Sequence, residues 1–311
     1  MEPRKSLDAS AIAIMVVVCI IWGLQQIGLK YAAHDAAPVL QIGIRSAISA
    51  VLVWILSLKR GEPIVYTSRT AAVGYLAGLF FAVEFLLVGE ALRHTTASHV
   101  VVFLYTAPIF AALGLHIRLP AERLSIWQWV GIVIAALGTA YAFLAPEAAS
   151  ASGNSTSEML FGDLLALAGG AVWGSTTVLI RSTSLSGLPA IHTLFYQLAV
   201  TGIALILYAI MSGQGGITLT LSLTVNLFAQ SVIVSFFSYL TWFWLLTRYK
   251  ASELGVFSFM TPLYGVVFGV LLLGDLITHE FMVGALAVMV GIVIVSAYPS
   301  LRQRFDRQTA A

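Results

Sequence analysis

Ten stretches of about 20 predominantly apolar residues constrain this chain more than any other feature of its sequence. A helix of that length crosses the roughly 30 Å hydrocarbon core of a bilayer. The runs are continuous, whereas a membrane-spanning strand alternates apolar and polar residues. The sequence therefore predicts an all-α integral membrane protein with ten transmembrane helices, at residues 11–30, 38–58, 71–92, 97–117, 125–144, 160–181, 190–211, 223–247, 252–274 and 280–298.

The composition excludes several other classes of protein. Only 10% of the 311 residues are charged and 59% are hydrophobic, whereas soluble domains carry about 25% charged residues. A net charge of +2 provides no basic surface, so no nucleic-acid partner is predicted. The single cysteine, Cys19, lies in an apolar run, which excludes a disulfide framework and a cysteine metal site. No pair of histidines has metal-ligand spacing with a carboxylate, so we predict neither a metal nor a cofactor.

The Lys and Arg residues predict the orientation of the spans, because these residues are enriched in cytoplasmic segments. If the N-terminus is cytoplasmic, 13 of the 16 Lys and Arg residues lie in inner segments. Lys30 and Arg93 lie in outer segments, and Arg45 lies inside a span. We therefore expect a multi-pass protein of the cell (inner) membrane with both its N- and C-termini cytoplasmic.

The sequence contains an internal repeat of two copies. The Trp-Gly pair at 22–23 aligns with the pair at 173–174 at an offset of 151 residues, and Pro108 aligns with Pro262 at an offset of 154. Chance similarity between apolar helices explains shared Leu and Val residues. It does not explain tryptophans, glycines and prolines that stay in register.

Each copy of the unit holds five spans, an odd number, so the second copy enters the membrane inverted. Inverted repeats are typical of secondary transporters, in which the substrate site lies near the membrane midplane between the two halves. We predict a first five-helix repeat at 11–144, a linker at 145–159, a second five-helix repeat at 160–298 and a cytoplasmic tail at 299–311.

The Trp-Gly helices and the Ala-Ser…Pro helices, at residues 97–108 and 251–262, resemble those of the EamA-type transporters in the drug/metabolite transporter (DMT) superfamily. The resemblance covers residues 11–298. It implies a cavity lined mainly by the first, third, fourth, sixth, eighth and ninth helices, with the fifth and tenth helices packed behind. It also implies transport of amino acids or other small metabolites, largely by export.

Four polar side chains on three predicted spans are expected at one depth, about 10 Å below the outer membrane surface at 1.5 Å of rise per residue. They are Gln25 and Gln26 in the first span, Arg45 in the second and Glu84 in the third. Charged side chains in a bilayer rarely face lipid. Two interpretations stay open. Arg45 and Glu84 form an ion pair that joins two helices, or Arg45 binds a substrate carboxylate and Glu84 binds an ammonium group or a proton.

Aromatic and polar residues within the spans are further candidates for substrate binding. Trp22 and Trp173 lie near the predicted midplane, whereas interfacial tryptophans lie at helix ends, and a buried indole N–H needs an acceptor. Tyr196 and Ser238 occupy, in the second copy, the positions of the two charged residues. Helix packing is the alternative role for every member. The complete candidate binding set is Trp22, Gln25, Gln26, Arg45, Glu84, Tyr105, Trp173, Tyr196, Gln197, Ser238, Tyr239, Ser258 and Tyr264.

Pro108 and Pro262 interrupt the fourth and ninth predicted spans, and each leaves the carbonyl four residues earlier without its helical donor. A packing kink is one interpretation, but the duplication of the prolines favours a paired hinge. His99 lies near the outer end of the fourth span. An interfacial histidine there needs no special role, although it could titrate near neutral pH.

These features predict a secondary transporter that moves a small organic metabolite, such as an amino acid or a related zwitterion or amine, outward across the cytoplasmic membrane. Its partners are the substrate and the lipid bilayer. An importer of a cationic metabolite or drug is the alternative within transport, and a channel is the alternative from another class. No Walker-type run binds ATP, and no nucleophile–base pair indicates an enzyme. Proton coupling through Glu84 and uncoupled carriage fit the sequence equally well, as do a monomer and a homodimer.

Overall fold

The computed structural model describes residues 8–118, 124–143, 155–249, 254, 257–258 and 260–308. These residues are helical almost throughout and contain no β-strand, apart from an isolated backbone bridge between Ala36 and Ile217. The α-helices in chain order are α1 (Ala9–Tyr31), α2 (Pro38–Lys59), α3 (Arg69–His94), α4 (Ala97–Leu104), α5 (Ala107–Arg118), α6 (Ile126–Phe143), α7 (Thr156–Ser182), α8 (Ala190–Met211), α9 (Leu221–Phe228), α10 (Tyr239–Arg248), α11 (Met260–Phe268) and α12 (His279–Gln308).

Helices long and apolar enough to cross a membrane account for most of the described chain. Seven such helices are Ala9–Tyr31, Pro38–Lys59, Arg69–His94, Ala97–Arg118, Thr156–Ser182, Ala190–Met211 and Leu221–Leu245. Three shorter apolar helices are Ile126–Ala142, Met260–Leu273 and His279–Val295. The predicted all-helical membrane protein is confirmed at this level.

Two stretches of the second half are π-helical. We call Ala229–Ser238, between α9 and α10, the long π segment, and Gly269–Leu273, after α11, the short π segment. A π-helix turn holds one residue more than an α-helix turn, so side chains after such a segment point in a different direction. Gly274, which ends the short π segment, has φ of 70°, a left-handed conformation that glycine adopts readily.

Polar side chains fix where several helices begin. The hydroxyl of Ser68 caps α3, and that of Thr96 caps α4. Ser155 and Glu158 form a capping box at the start of α7. These groups satisfy backbone N–H groups that the first helical turn leaves unpaired. At the start of α2 the first helical residue is Pro38, which has no N–H to satisfy.

The fourth predicted span is broken in its middle. α4 ends at Leu104, and Tyr105 and Thr106 form a turn before α5 begins. Pro108 has no N–H to donate to the carbonyl of Leu104, which explains the break. Gly170 of α7 packs against it so closely that an added Cβ would lie 2.9 Å from the Leu104 carbonyl oxygen. The counterpart proline, Pro262, lies near the start of α11.

Side-chain contacts define the two ends of the helix bundle. At the first, the Lys30 ammonium donates to the Leu92 and Thr95 carbonyl oxygens where α3 finishes. We call it the Lys30 end. At the other, which we call the Asp8 end, the Tyr249 hydroxyl donates to the Asp8 carboxylate at 2.8 Å. α1 runs from the Asp8 end to the Lys30 end, and α2 runs back.

Helices α6 and α12 pack mainly against each other, as expected of the fifth and tenth predicted spans. Glycines allow this close approach. An added Cβ on Gly291 would lie 2.4 Å from the Gly131 carbonyl oxygen, and one on Gly284 would lie 2.6 Å from that of Gly138. The two backbones therefore touch at two levels, a packing that small residues permit in membrane helices.

This contact generates a stability prediction. We expect Gly291→Ala to push α12 away from α6 and lower the apparent unfolding free energy by about 1–3 kcal/mol, the usual cost of overpacking. Gly187→Ala is the matched control, because an added Cβ there meets no atom within 4 Å. Thermal unfolding of the purified variants in detergent measures both. Equal stability of the two variants would contradict the close packing.

Candidate functional site

A buried polar network joins α1, α2 and the long π segment. Arg45 of α2 is only 1% exposed, and its guanidinium donates to the Gln230 side-chain oxygen at 2.6 Å. The Gln230 amide nitrogen in turn donates to the backbone carbonyl of Gln25 at 2.8 Å. Gln230 thus uses both ends of its amide to join two helices of the first half to a segment of the second.

The charge of Arg45 is otherwise stabilised by an aromatic ring. The guanidinium carbon lies 4.8 Å from the centre of the Phe85 ring, within the range of a cation–π interaction. Its Nε atom is buried and has no hydrogen-bond partner among the described residues. The Arg45 Nε–H is therefore a donor that none of the described residues satisfies.

Glu84 precedes Phe85 on α3 and is 3% exposed. One of its carboxylate oxygens, Oε2, is buried without a partner among the described residues. The salt bridges that these residues form within 4.0 Å do not include a contact between Arg45 and Glu84. The structure thus brings the two charges into one region without the direct ion pair that was one of the two interpretations.

An aromatic row runs beside these charges. Phe85 and Phe81 have ring centres 4.7 Å apart, and Phe81 lies 6.5 Å from Tyr239. Trp22 lies 6.3 Å from Tyr239 and 5.5 Å from Trp242. All four pairs are edge-on, an arrangement that aromatic quadrupoles favour. The row connects α3 with α1 and α10.

Two hydrogen bonds fix the orientation of this row. The Trp22 indole nitrogen donates to the Ser238 hydroxyl at 2.8 Å, so the predicted acceptor for its N–H exists. The Tyr239 hydroxyl lies 3.4 Å from the Gln25 side-chain oxygen. Five of the predicted site residues are therefore gathered in one place: Trp22, Gln25, Arg45, Ser238 and Tyr239, with Glu84 beside them.

A second aromatic pair lies between α4, α7 and α11. Tyr105, in the break of the fourth span, meets Trp173 edge-on at 5.2 Å. The Tyr105 side chain also lies beside Thr261, whose hydroxyl is buried without a hydrogen-bond partner among the described residues. The side-chain oxygen of Gln26 is also buried without a hydrogen-bond partner among the described residues.

Tyr196 lies elsewhere. Its hydroxyl donates to the Val65 carbonyl, and its ring fills the space over Gly74, where an added Cβ would be 2.3 Å from a ring carbon. Because Val65 belongs to the loop after α2, Tyr196 lies towards the Asp8 end, with the buried Gln197 next to it. Its contacts are those of packing.

The other two candidates lie on the helical segment around α11. The Tyr264 ring stacks on Phe268 with ring centres 6.1 Å apart. An added Cβ on Gly23 would lie 3.0 Å from the Tyr264 Cβ, so α1 and α11 approach closely there. Ser258 is partly exposed.

Sequence reasoning missed Gln230, Phe81, Phe85 and Trp242. Gln230 had a usable signal, because it is a polar residue in the middle of an apolar span and such residues seldom face lipid. The aromatic residues had none, since phenylalanines are frequent in spans that contact only lipid.

Chemically, the site offers both an unsatisfied acceptor and an unsatisfied donor. Among the described residues, Glu84 Oε2 is an acceptor and Arg45 Nε a donor without a partner. Buried polar atoms without partners carry a desolvation penalty of about 1–3 kcal/mol each. A ligand that supplies a cationic group, an anionic group or both would remove it.

The role of Gln230 can be tested by stability. Gln230→Leu leaves the Arg45 guanidinium without its acceptor, so we expect the apparent unfolding free energy to fall by at least about 1–3 kcal/mol. Removing both partners in Arg45→Met with Gln230→Leu is expected to cost less than Gln230→Leu alone, because no buried charge is left unpaired. Gln230→Glu keeps the acceptor and serves as the control. Thermal unfolding in detergent measures all three, and a double variant that loses more stability than Gln230→Leu alone would contradict the contact.

Comparison with known proteins identifies relatives along nearly the whole chain. The protein described as "Uncharacterized transporter YoaV" from Bacillus subtilis (strain 168) is 25% identical over 289 residues, covering 89% of this chain and 94% of that protein. The "Probable amino-acid metabolite efflux pump" of Salmonella typhimurium (strain LT2) is 24% identical over 291 residues, covering 91% and 93%. A solved crystal structure aligns with a TM-score of 0.64 at 17% identity, over 92% of this chain and 97% of that one, and shows a shared fold.

The family assignment rests on a match in both halves. The family model for EamA-like transporters matches residues 9–144 and, separately, residues 160–297. The predicted resemblance is therefore confirmed, as is the prediction of a transporter rather than an enzyme. The chain is a multi-pass membrane protein and belongs to the EamA-like transporter family.

Proposed function

We propose that this protein is a secondary transporter that carries an amino acid, or a related zwitterion or amine, outward across the cytoplasmic membrane. The observation that carries the proposal is Glu84, a buried carboxylate with an unpartnered oxygen beside an aromatic row and a buried arginine. An acid in a membrane span is costly, and no contact within the described part of the chain satisfies Glu84 Oε2.

The substrate class follows from the groups that the site leaves unpaired. A substrate ammonium group would bind Glu84 Oε2, with the aromatic rings of Trp22 and Tyr239 nearby to favour a cation. A carboxylate on the same molecule would bind Arg45 Nε. Charge-assisted hydrogen bonds of both kinds are about twice as strong as neutral ones.

The names of relatives support the substrate and the direction. The proteins of Salmonella typhimurium and Escherichia coli (strain K12), each 24% identical over 291 residues, are described as probable amino-acid metabolite efflux pumps. We extend export and amino-acid specificity to this chain on that basis, together with the paired charges of the site.

For the mechanism we propose alternating access between two inverted five-helix repeats, residues 11–144 and 160–298, with both termini cytoplasmic. Two hydrogen bonds in the site support alternating access because each joins the two halves. One connects Arg45 with Gln230, and the other connects Trp22 with Ser238. Rocking one half against the other would break and remake them. Pro108 and Pro262 are proposed as the paired hinge.

The proposed location is the cell (inner) membrane, and a monomer is sufficient because the site lies within one chain. The candidate residues that lie apart from the cluster, such as Tyr196, are proposed as packing residues.

Counterflow in proteoliposomes tests the function. Purified protein would be given amino acids, nucleosides and small amines inside the vesicle, and uptake of the labelled compound would be followed. We expect saturable uptake that internal substrate accelerates, for compounds with an ammonium group. A channel would show neither saturation nor acceleration, and an absence of transport for every compound would contradict the proposal.

Glu84→Gln tests the site. Loss of a charged hydrogen bond worth about 1.5–3 kcal/mol predicts a fall in counterflow efficiency of roughly 10- to 100-fold. Glu90→Gln is the control, because Glu90 pairs with Arg93 at the partly exposed Lys30 end. Size-exclusion profiles and thermal unfolding would show whether both variants fold. A folded Glu84→Gln variant that transports like the wild type would refute this assignment.

A further inference from the structure

His99 and Asp163 form a buried pair outside the cluster described above. The His99 Nδ1 atom lies 2.8 Å from one carboxylate oxygen of Asp163, and the Thr95 hydroxyl donates to the other at 2.5 Å. His99 is 1% exposed and Asp163 is 3% exposed. The pair joins α4 of the first half to α7 of the second.

One atom of this pair has no partner. With a carboxylate at Nδ1, the His99 ring places its N–H there and leaves Nε2 as the basic nitrogen. That Nε2 is buried without a hydrogen-bond partner among the described residues. The ring is held in place by Phe281 of α12, which stacks on it at 3.9 Å with an interplanar angle of 7°. Nε2 is therefore an unoccupied proton-accepting position fixed next to a carboxylate.

Neighbouring contacts place the pair at the Lys30 end, where the two halves of the chain contact each other. Ser98, the residue before His99, donates its N–H and its hydroxyl to Asp275, at 3.0 and 2.7 Å. Thr95 receives the Lys30 ammonium on its carbonyl oxygen at 3.0 Å. Consecutive residues of the first half therefore bind two acids of the second half, which holds the halves together at this end.

Other charged groups approach the pair from each packed element. Lys30 comes from α1, and it interacts electrostatically with Asp275 in the turn before α12. Other titratable groups near this end are His34 and Asp35 in the loop after α1, Glu90, Arg93 and His94 on α3, Glu158 on α7, and His279 and Glu280 on α12. None of these provides the 2.8 Å contact that Asp163 makes with the His99 ring.

We propose that the His99–Asp163 pair is a proton-binding site that couples proton movement to the opening and closing of the Lys30 end. A proton on Nε2 turns the hydrogen bond between a neutral imidazole and the Asp163 carboxylate into an ion pair between an imidazolium and that carboxylate. The attraction between the two residues is then stronger, so proton binding favours closure. By linkage, closure favours proton binding to the same extent. The coupling rests on the proposed transport function, whereas the proton site does not. Ile12 occupies the position of Asp163 in the repeat alignment, so this arrangement belongs to one end.

The proton site is tested without any substrate. Ring-nitrogen NMR of histidine-labelled protein in lipid nanodiscs would follow His99, whose signals are those missing in His99→Asn. We expect the imidazolium pattern of the His99 ring to replace the neutral pattern when the sample is acidified, because Nε2 is the unoccupied proton-accepting position. His34→Asn, which removes a histidine that is 74% exposed, checks the assignment. Signals that keep one pattern throughout would overturn the proton site.

The coupling is tested by transport. The amide of His99→Asn can still donate to Asp163 in the place of Nδ1, but it cannot take up a proton. We expect this variant and Asp163→Asn to keep counterflow of an amino acid, while losing its accumulation when a pH gradient is imposed. His34→Asn should accumulate like the wild type. Accumulation retained in a folded His99→Asn variant would overturn the coupling.

The two failures can be told apart. If the wild type shows no counterflow with any compound, the proposed transport function fails, and the NMR titration still decides whether His99 binds a proton. If counterflow is present and His99 does not change its protonation, the transport function stands and the proton site is refuted.

Discussion

The buried charge of Arg45 is the constraint on which the rest of the site depends. A guanidinium within a membrane span must be surrounded by protein groups that replace water. Here one amide, Gln230, and one ring, Phe85, provide that environment. Because Gln230 also binds the Gln25 backbone, the charge fixes the relative position of α1, α2 and the long π segment. Glu84 then shares the same region without closing a direct ion pair, which leaves its carboxylate free for a ligand.

The contacts of Arg45 and Trp22 also connect the site with the rocking motion that we propose for transport. Arg45 and Trp22 both bind residues of the long π segment, Gln230 and Ser238. π-helical turns are less stable than α-helical ones and are frequent at functional sites. The fourth span is broken at Tyr105, directly beside Trp173. Part of the site, Gln230 and Ser238, thus lies on an irregular backbone, whereas α6 and α12 are packed through glycines.

The sequence predicted an all-helical membrane protein correctly, because span length and hydropathy reflect the thickness of a bilayer. It also predicted that Gln25, Arg45 and Glu84 share a depth, since the rise of a helix is constant per residue. The partner of Arg45 was not predicted, because Gln230 lies 185 residues away along the chain and only helix packing brings the two side chains together. Tyr196 was included through its repeat alignment with Arg45. That alignment misleads about depth, since α2 begins at the Lys30 end and α8 at the Asp8 end.

The contact between His99 and Asp163 could not be inferred from the sequence either, since 64 residues separate them. A depth estimate gives the position of a residue along its own helix. Which side of that helix contacts a neighbouring helix depends on packing, which hydropathy does not describe. Buried polar residues in both α4 and α7 were the available signal, and only the fold joins them.

The most direct test of the central claim is a structure of the protein with a transported amino acid or amine bound. We predict that the ligand's ammonium group lies within hydrogen-bond distance of Glu84, beside Trp22 and Tyr239, with Arg45 close to Gln230. A ligand bound elsewhere, or a Glu84 carboxylate paired directly with Arg45 and out of contact with the ligand, would contradict the proposed site.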